Sequence, residues 1–250
     1  MKPVTAPTTA PTGPTIAEIS TKLFADGADL DQILKLAEDP LIRGFTTNPT
    51  LMWKAGLTHY EDFAARLLEQ ITEHPISFEV FADDEAEMRR QAKCIAAWGE
   101  NVYVKIPVTT TDGTSMAPLV RELSEDGVKV NVTALFTPRQ VDEITQAVAD
   151  GAPSYISVFA GRIADAGVEP LPVMRECIEI MRAAPRAECI WASPREILNL
   201  VQANEVGCHI ITMTSDLLAK TKSLGKDLQQ FSLETVEMFH RDAQSAGFTL

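Results

Sequence analysis

The sequence predicts an α/β protein built as a single (β/α)8 barrel, or TIM barrel. Eight short apolar runs alternate along the chain with helix-like stretches, which is the order typical of parallel α/β folds. The length of 250 residues suits one such barrel. The hydrophobic fraction of 45% and the charged fraction of 23% indicate one globular core. A doubly wound open sheet is the alternative architecture.

The first fifteen residues differ from the rest. They alternate proline with small residues and contain almost nothing to bury, so residues 1–15 are expected to form a disordered tail rich in proline and threonine. Residues 16–250 are then expected to form the barrel, which ends in a C-terminal helix.

The predicted elements follow one another as strand, loop and helix. The strands are predicted at residues 22–26, 44–47, 76–81, 102–106, 129–133, 155–159, 189–192 and 209–213. The helices are predicted near residues 29–39, 58–74, 84–99, 115–125, 137–150, 170–184, 194–204, 214–224 and 232–246. Leu30, Ile33, Leu34 and Ala37 show the amphipathic spacing in the first helix.

Charge and cysteine content restrict the function. With a net charge of −13 the chain would be repelled by nucleic acids and anionic membranes, so neither is an expected partner. Cys94, Cys177, Cys189 and Cys208 lie far apart, without the spacing of a zinc site or a disulfide framework. The sequence contains no membrane-length apolar run and no signal-peptide core, so a cytoplasmic protein is expected. The sequence does not distinguish a monomer from a homo-oligomer.

Lys105 lies near the end of an otherwise apolar strand, 102–106, which Pro107 terminates. Burial would disfavour its charged form and lower its pKa, which would make the amine a nucleophile able to form a Schiff base with a carbonyl. The alternative is a lysine with a buried stem and a solvated ammonium group.

Other polar residues stand at the ends of the predicted strands. Active sites of (β/α)8 barrels lie at the carboxyl ends of the strands, so these residues are functional candidates. Buried charges are costly unless they are paired, which makes their convergence on one rim more consistent with chemistry than with stability alone. The candidates are Asp26, Thr46, Asn48, Glu79, Lys105, Asn131, Thr133, Ser157, Phe159, Arg162, Ser193 and Arg195.

In this order, the strand-end segments resemble the transaldolases, especially the short-chain subgroup that includes the fructose-6-phosphate aldolases. The resemblance covers roughly residues 22–225. The matching segments are LFAD at 23–26, GFTTNPT at 44–50, SFEV at 77–80, VKIPVT at 104–109, NVTALF at 131–136, ISVFAGRI at 156–163, ASPR at 192–195 and GCHIIT at 207–212.

The resemblance implies catalytic roles for four residues. Lys105 matches the Schiff-base lysine, and Asp26 matches the carboxylate that exchanges a proton with the substrate hydroxyl. Glu79 and Thr133 match the pair that holds a catalytic water from neighbouring strands. Two alternatives remain: Asp26 could cap a helix, although Asp29 suits that role better, and Thr133 could simply fill the barrel.

The resemblance also implies a substrate site and no metal or organic cofactor. Thr46, Asn48, Asn131 and Ser157 match residues that hold substrate hydroxyls, although Asn48-Pro49 is also a typical helix start. Arg162, Ser193 and Arg195 match the phosphate site, where charge-assisted bonds and helix N–H groups can bind the anion. Alone, each arginine would be an ordinary surface charge.

Two positions distinguish the subgroups of this family. Glu79 and Phe159 are the transferase-type pair, whereas lyase-type members have glutamine and tyrosine there. A transaldolase acting on sugar phosphates is therefore expected, with a lyase or a non-catalytic sugar-phosphate-binding barrel as alternatives. Pro194 and the longer loop 109–116 depart from the family pattern. The sequence therefore does not fix the acceptor, and a specialised sugar pathway is an alternative to central pentose metabolism.

Overall fold

The barrel is closed. The computed structural model describes residues 12–247, in which eight parallel strands pair in sequence order and β8 pairs with β1. The (β/α)8 prediction is therefore confirmed, and the open-sheet alternative is wrong. The strands are β1 Lys22–Asp26, β2 Ile42–Thr46, β3 Ile76–Glu79, β4 Val102–Pro107, β5 Val130–Leu135, β6 Ser154–Val158, β7 Ala187–Trp191 and β8 Ile210–Met213.

Eleven α-helices lie in the described residues. They are α1 Leu30–Ala37, α2 Pro49–Lys54, α3 Tyr60–Leu68, α4 Glu85–Ala96, α5 Ala117–Glu125, α6 Pro138–Val148, α7 Ala160–Asp165, α8 Pro170–Met181, α9 Leu198–Glu205, α10 Ser215–Leu218 and α11 Leu228–Ala246. The prediction lacked α2 and α7, because a helix of six residues is too short to show a periodic pattern.

Several predicted boundaries need correction. The helix predicted at 58–74 ends at Leu68, and the one predicted at 194–204 begins at Leu198. The helix predicted at 214–224 is instead α10 followed by the 3-10 helix Ala219–Ser223. The C-terminal helix begins four residues before its predicted start, where Asp227 accepts a hydrogen bond from the backbone N–H of Gln230.

The described residues fall into two compact units. Residues 20–219 form one unit, which contains the whole barrel. Residues 12–19 and 220–247 belong to the other, which contains the 3-10 helix Ile16–Glu18 and α11. Residues 1–11 of the predicted tail lie outside the described residues.

Apolar side chains fill the middle of the barrel. Phe24, Tyr103, Tyr155, Ile190 and Ile210 form one buried cluster, in which the two tyrosine rings stack 4.0 Å apart. Side chains two positions apart on a strand face the same way. The next inward layer toward the carboxyl ends is mostly polar, because four of the five positions are Asp26, Lys105, Ser157 and Thr212 and the fifth is Ala192.

Gly44 makes room for one ring of this cluster. A Cβ atom at position 44 would lie 2.5 Å from the Phe24 ring, which is fully buried. We expect Gly44→Ala to lower the free energy of unfolding by about 1–3 kcal/mol, because the ring must leave its packed position. Gly27→Ala is the matched control, since a Cβ there meets no atom within 4 Å. Equal denaturant midpoints for the two variants would contradict this account.

Candidate active site

Lys105 projects into the polar layer at the mouth of the barrel. The residue is 7% exposed, and its Nζ donates a hydrogen bond to the carbonyl oxygen of Thr47 at 3.0 Å. The same nitrogen lies 3.2 Å from Oε2 of Glu79, which is its partner in the register between β3 and β4. This geometry favours the buried amine over the alternative in which the ammonium group reaches water.

Glu79 and Thr133 stand on either side of β4. Glu79 ends β3 and Thr133 belongs to β5, so the expectation that they lie on neighbouring strands is wrong. Side chains from alternate strands share a layer in such barrels, which still directs both toward the same interior space. Within the described part of the chain, the buried Thr133 hydroxyl has no hydrogen-bond partner. The described residues therefore leave the hydrogen-bonding capacity of this hydroxyl unused.

Asp26 ends β1 and faces the same layer. Its Oδ1 accepts a hydrogen bond from the Thr46 hydroxyl at 2.8 Å. Desolvation raises the pKa of this carboxyl, while the nearby Lys105 charge and the Thr46 hydrogen bond oppose the shift. The helix-capping alternative is wrong for Asp26, because Asp29 caps α1 by accepting a hydrogen bond from the Gln32 N–H.

Two of the predicted hydroxyl-binding residues belong to one buried chain of hydrogen bonds. Ser157 donates to Oδ1 of Asn131 at 2.7 Å, and Asn131 donates from Nδ2 to the Ser77 hydroxyl at 2.9 Å. All three residues are buried. The chain runs from β6 through β5 to β3 and fixes the orientation of the Asn131 amide.

Asn48 has the local role that its sequence indicates. Its Oδ1 accepts a hydrogen bond from the Leu51 N–H at 3.0 Å, which makes it the N-cap of α2, with Pro49 at the first helical position. The side-chain oxygen is therefore occupied. The amide N–H groups are the part of Asn48 left to contact a ligand.

The three predicted phosphate-binding residues lie near the carboxyl ends of β6 and β7. Arg162 is in α7, and its guanidinium lies over the Phe159 ring at 5.3 Å. Arg195 donates from Nε to both oxygens of Asp165 at 3.1 Å and also contacts Asp165 through Nη2. These bonds lower the pKa of Asp165, which stays ionised as a counter-ion beside the two arginines.

A close backbone contact joins the segments that carry these arginines. A Cβ atom at Gly161 would lie 1.6 Å from the carbonyl oxygen of Ser193, so only glycine fits there. Ser193 itself has a positive φ of 61°, which is uncommon for residues other than glycine. A helix was predicted from residue 194, but α9 begins at Leu198, so Ser193 and Arg195 lie in the loop before it. The side chain of Asn199 holds that loop by accepting from the Arg195 N–H.

Four residues that contribute to the site were not predicted from the sequence. Thr212 supplies the polar group on the eighth strand. Because the Thr46 hydroxyl donates its hydrogen to Asp26, Thr212 is the donor in the hydrogen bond of 2.5 Å between the two threonines. Ser77 could have been found, because it faces the same side as Glu79 two residues later. Asp165 lies one helical turn after Arg162, which is a weak signal. Nothing in the sequence pattern pointed to Tyr60, which contacts the backbone of Glu79.

The family model described as Transaldolase/Fructose-6-phosphate aldolase matches residues 23–250. The chain belongs to this family. It is thus an enzyme of the transaldolase and aldolase kind. A protein of Dehalococcoides mccartyi called "Probable transaldolase" is 33% identical over 79% of this chain and 88% of its own length. The corresponding values for a "Probable transaldolase" of Thermoanaerobacter sp. are 32%, 92% and 100%.

Solved structures agree on the fold. Dihydrodipicolinate synthase from Rhodopseudomonas palustris is similar with a TM-score of 0.54 at 16% identity, covering 85% of this chain and 78% of that one. A protein titled "QR15, an Aldolase" gives a TM-score of 0.53 at 11% identity, covering 87% of this chain and 99% of the other. At such low identity these likenesses concern the barrel architecture alone.

Two further findings concern the described residues of this family member. None of the helices described is both long enough and apolar enough to cross a membrane. Across residues 12–247, no group of three or more histidine, cysteine, aspartate or glutamate side chains is arranged to hold a metal ion.

Proposed function

We propose that the protein is a transaldolase that moves a dihydroxyacetone unit from a ketose phosphate to an aldose acceptor through a Schiff base on Lys105. The donor would be of the fructose 6-phosphate or sedoheptulose 7-phosphate type. The observation that carries the proposal is a buried lysine amine 3.2 Å from the Glu79 carboxylate, in the same polar layer as Asp26. A nucleophile, a carboxylate partner and a second carboxylate suit imine-based carbon–carbon cleavage.

In the proposed reaction, Glu79 takes a proton from Lys105, and the neutral amine attacks the ketose carbonyl. The carbonyl oxygen leaves as water, taking up that proton and one from the nitrogen, which gives a protonated imine. Asp26 accepts the proton of the substrate hydroxyl as the adjacent carbon–carbon bond breaks. The electron pair of that bond passes into the imine, and the aldehyde leaves. The enamine attacks the acceptor aldehyde, Asp26 returns the proton to the new alkoxide, and hydrolysis frees Lys105.

Glu79 and Thr133 would move protons through a water during imine formation and hydrolysis. The unpartnered Thr133 hydroxyl supports this role, since a water there would satisfy it. Glu79 with Phe159 also supports transfer over release, because a phenyl group in place of a phenol offers no proton to the enamine. Thr46, Asn48, Asn131 and Ser157 would hold the substrate hydroxyls.

Arg162, Ser193 and Arg195 would bind the substrate phosphate. We expect Arg162→Ala to raise KM for a phosphorylated ketose by about 10- to 100-fold, because a charge-assisted bond is lost. kcat should change far less, and a ketose without phosphate should show no difference. Arg182→Ala, which removes an exposed arginine paired with Glu179, is the matched control. Equal KM increases for both kinds of ketose would contradict the assignment.

The proposal is tested with fructose 6-phosphate and borohydride, which reduces an imine to a stable adduct that mass spectrometry can locate. An adduct on Lys105 is expected, and none on folded protein would reject the mechanism. Turnover is then measured with and without a series of acceptor aldehydes. Fast turnover without an acceptor would indicate a lyase, and the preferred acceptor would show which pathway the enzyme serves.

A further inference from the structure

We infer that Tyr60 is a positioning residue for the reaction, because its phenol fixes the backbone of Glu79 and so holds the carboxylate against Lys105. This inference deepens the proposed function and rests on it. Tyr60 is the first residue of α3 and lies outside the polar layer of the barrel. Its role is to act through Glu79, without touching the substrate.

The strand pairing explains why Glu79 needs this help. The backbone groups of Phe78 in β3 and of Val80, the residue after β3, face β4, and Val80 donates to the Lys105 carbonyl at 3.0 Å. Those of Ser77 and Glu79 face β2, where Thr47 donates to the Ser77 carbonyl at 3.3 Å. The paired register of β2 and β3 ends at Thr46 and Ser77. The N–H and C=O of Glu79 therefore have no strand to pair with.

The Tyr60 hydroxyl replaces the missing strand. It accepts a hydrogen bond from the Glu79 N–H at 2.8 Å and donates one to the Glu79 carbonyl at 3.1 Å. A hydroxyl can do both at once, which neither a carbonyl oxygen nor an ammonium group could do alone. Burial raises the pKa of the phenol, so it keeps the hydrogen that it donates at every working pH.

Aromatic neighbours hold the Tyr60 ring in place. The ring makes edge contacts with Phe81, Trp98 and Phe78, with centroid distances of 4.6, 5.4 and 6.0 Å. Phe78 and Phe81 lie on either side of Glu79 in the sequence, so the ring and the hydroxyl fix the same short segment, the end of β3 and the residues after it. A shift of this segment would move the carboxylate away from the 3.2 Å contact with Lys105.

The test measures single-turnover formation of the Lys105 imine with fructose 6-phosphate, by quenching into borohydride at successive times. For Tyr60→Phe we expect the rate constant to fall about 10- to 100-fold, since small misplacements of a catalytic group have effects of this size. kcat should fall with little change in KM, because the phosphate and hydroxyl contacts are untouched. Loss of folded protein would lower the amplitude of the adduct and leave its rate constant unchanged.

Trp98→Leu is the matched control. It removes one of the three ring contacts of Tyr60, while the contacts with Phe78 and Phe81 and both hydrogen bonds of the phenol still hold the ring, so it should lower the melting temperature and preserve the rate constant. A Tyr60→Phe rate constant equal to that of the parent, or one lowered equally in both variants, would overturn the inference. Absence of any adduct in the parent protein would instead reject the proposed function itself.

Discussion

Lys105→Met is expected to abolish the borohydride-trapped adduct and to lower kcat/KM by at least about four orders of magnitude. Methionine has a similar length and no amine, so the covalent step is lost together with the route that depends on it. Mass spectrometry after incubation with ketose and borohydride measures the first effect, and steady-state kinetics the second.

Stability must be controlled in this experiment. Removing one partner of a buried ion pair leaves Glu79 unpaired and can cost about 3–5 kcal/mol. Lys105→Arg keeps a cation for Glu79 but cannot form the imine, so it should be inactive while retaining more stability than Lys105→Met. Lys22→Met removes a lysine of β1 that lies outside the polar layer and forms an ion pair with Glu188 of β7. This variant should remain active. A full adduct on Lys105→Arg would exclude Lys105 as the nucleophile.

Asp26→Asn is expected to lower kcat by about 10²- to 10⁴-fold, the range of a lost general acid/base. Imine formation does not use Asp26 in the proposed reaction. The variant should therefore still be trapped by borohydride, with the intact ketose attached because the carbon–carbon bond is not broken. Asp29→Asn is the matched control, since asparagine caps a helix as well as aspartate does. Trapping of only the three-carbon unit on Asp26→Asn would contradict the role.

The raised pKa of Asp26 also predicts how the stability of Asp26→Asn, relative to the parent protein, depends on pH. A raised folded-state pKa means that the folded protein binds the proton more tightly than the unfolded chain, so the ionised carboxylate reduces stability at neutral pH. Asp26→Asn should thus be at least as stable as the parent at pH 7. The difference should shrink as the pH falls through the raised pKa toward the ordinary value of 3.8. Activity of the parent should likewise fall on the acid side at a higher pH than an ordinary aspartate would give.

The sequence supported the barrel and most of its rim for a clear physical reason. Buried parallel strands are continuous apolar runs, so a charged residue at the end of one, such as Lys105 or Asp26, stands out from its neighbours. The polar layer follows once the closed barrel is assumed, because the carboxyl ends of all strands meet there.

Contacts made across the fold could not be predicted in the same way. Tyr60 bonds to Glu79 because β2 ends before β3 does in the register of the two strands, and that register is not visible in the sequence of either strand. Asp165 meets Arg195 only after α7, a six-residue helix with no periodic signal, brings them together. The expectation that Glu79 and Thr133 lie on neighbouring strands was wrong, because β4 lies between their two strands in the barrel.

The contact between Gly161 and the Ser193 carbonyl has a mechanical consequence. It fixes the start of α7 against the loop that follows β7, so the backbone positions that carry Arg162 and Arg195 are set before any anion binds. Under the proposed function, little conformational freedom of the backbone would be lost when a phosphate binds between the two arginines. An anion of another size would require the start of α7 and the loop after β7 to move together. The main chain would therefore contribute to selection by size.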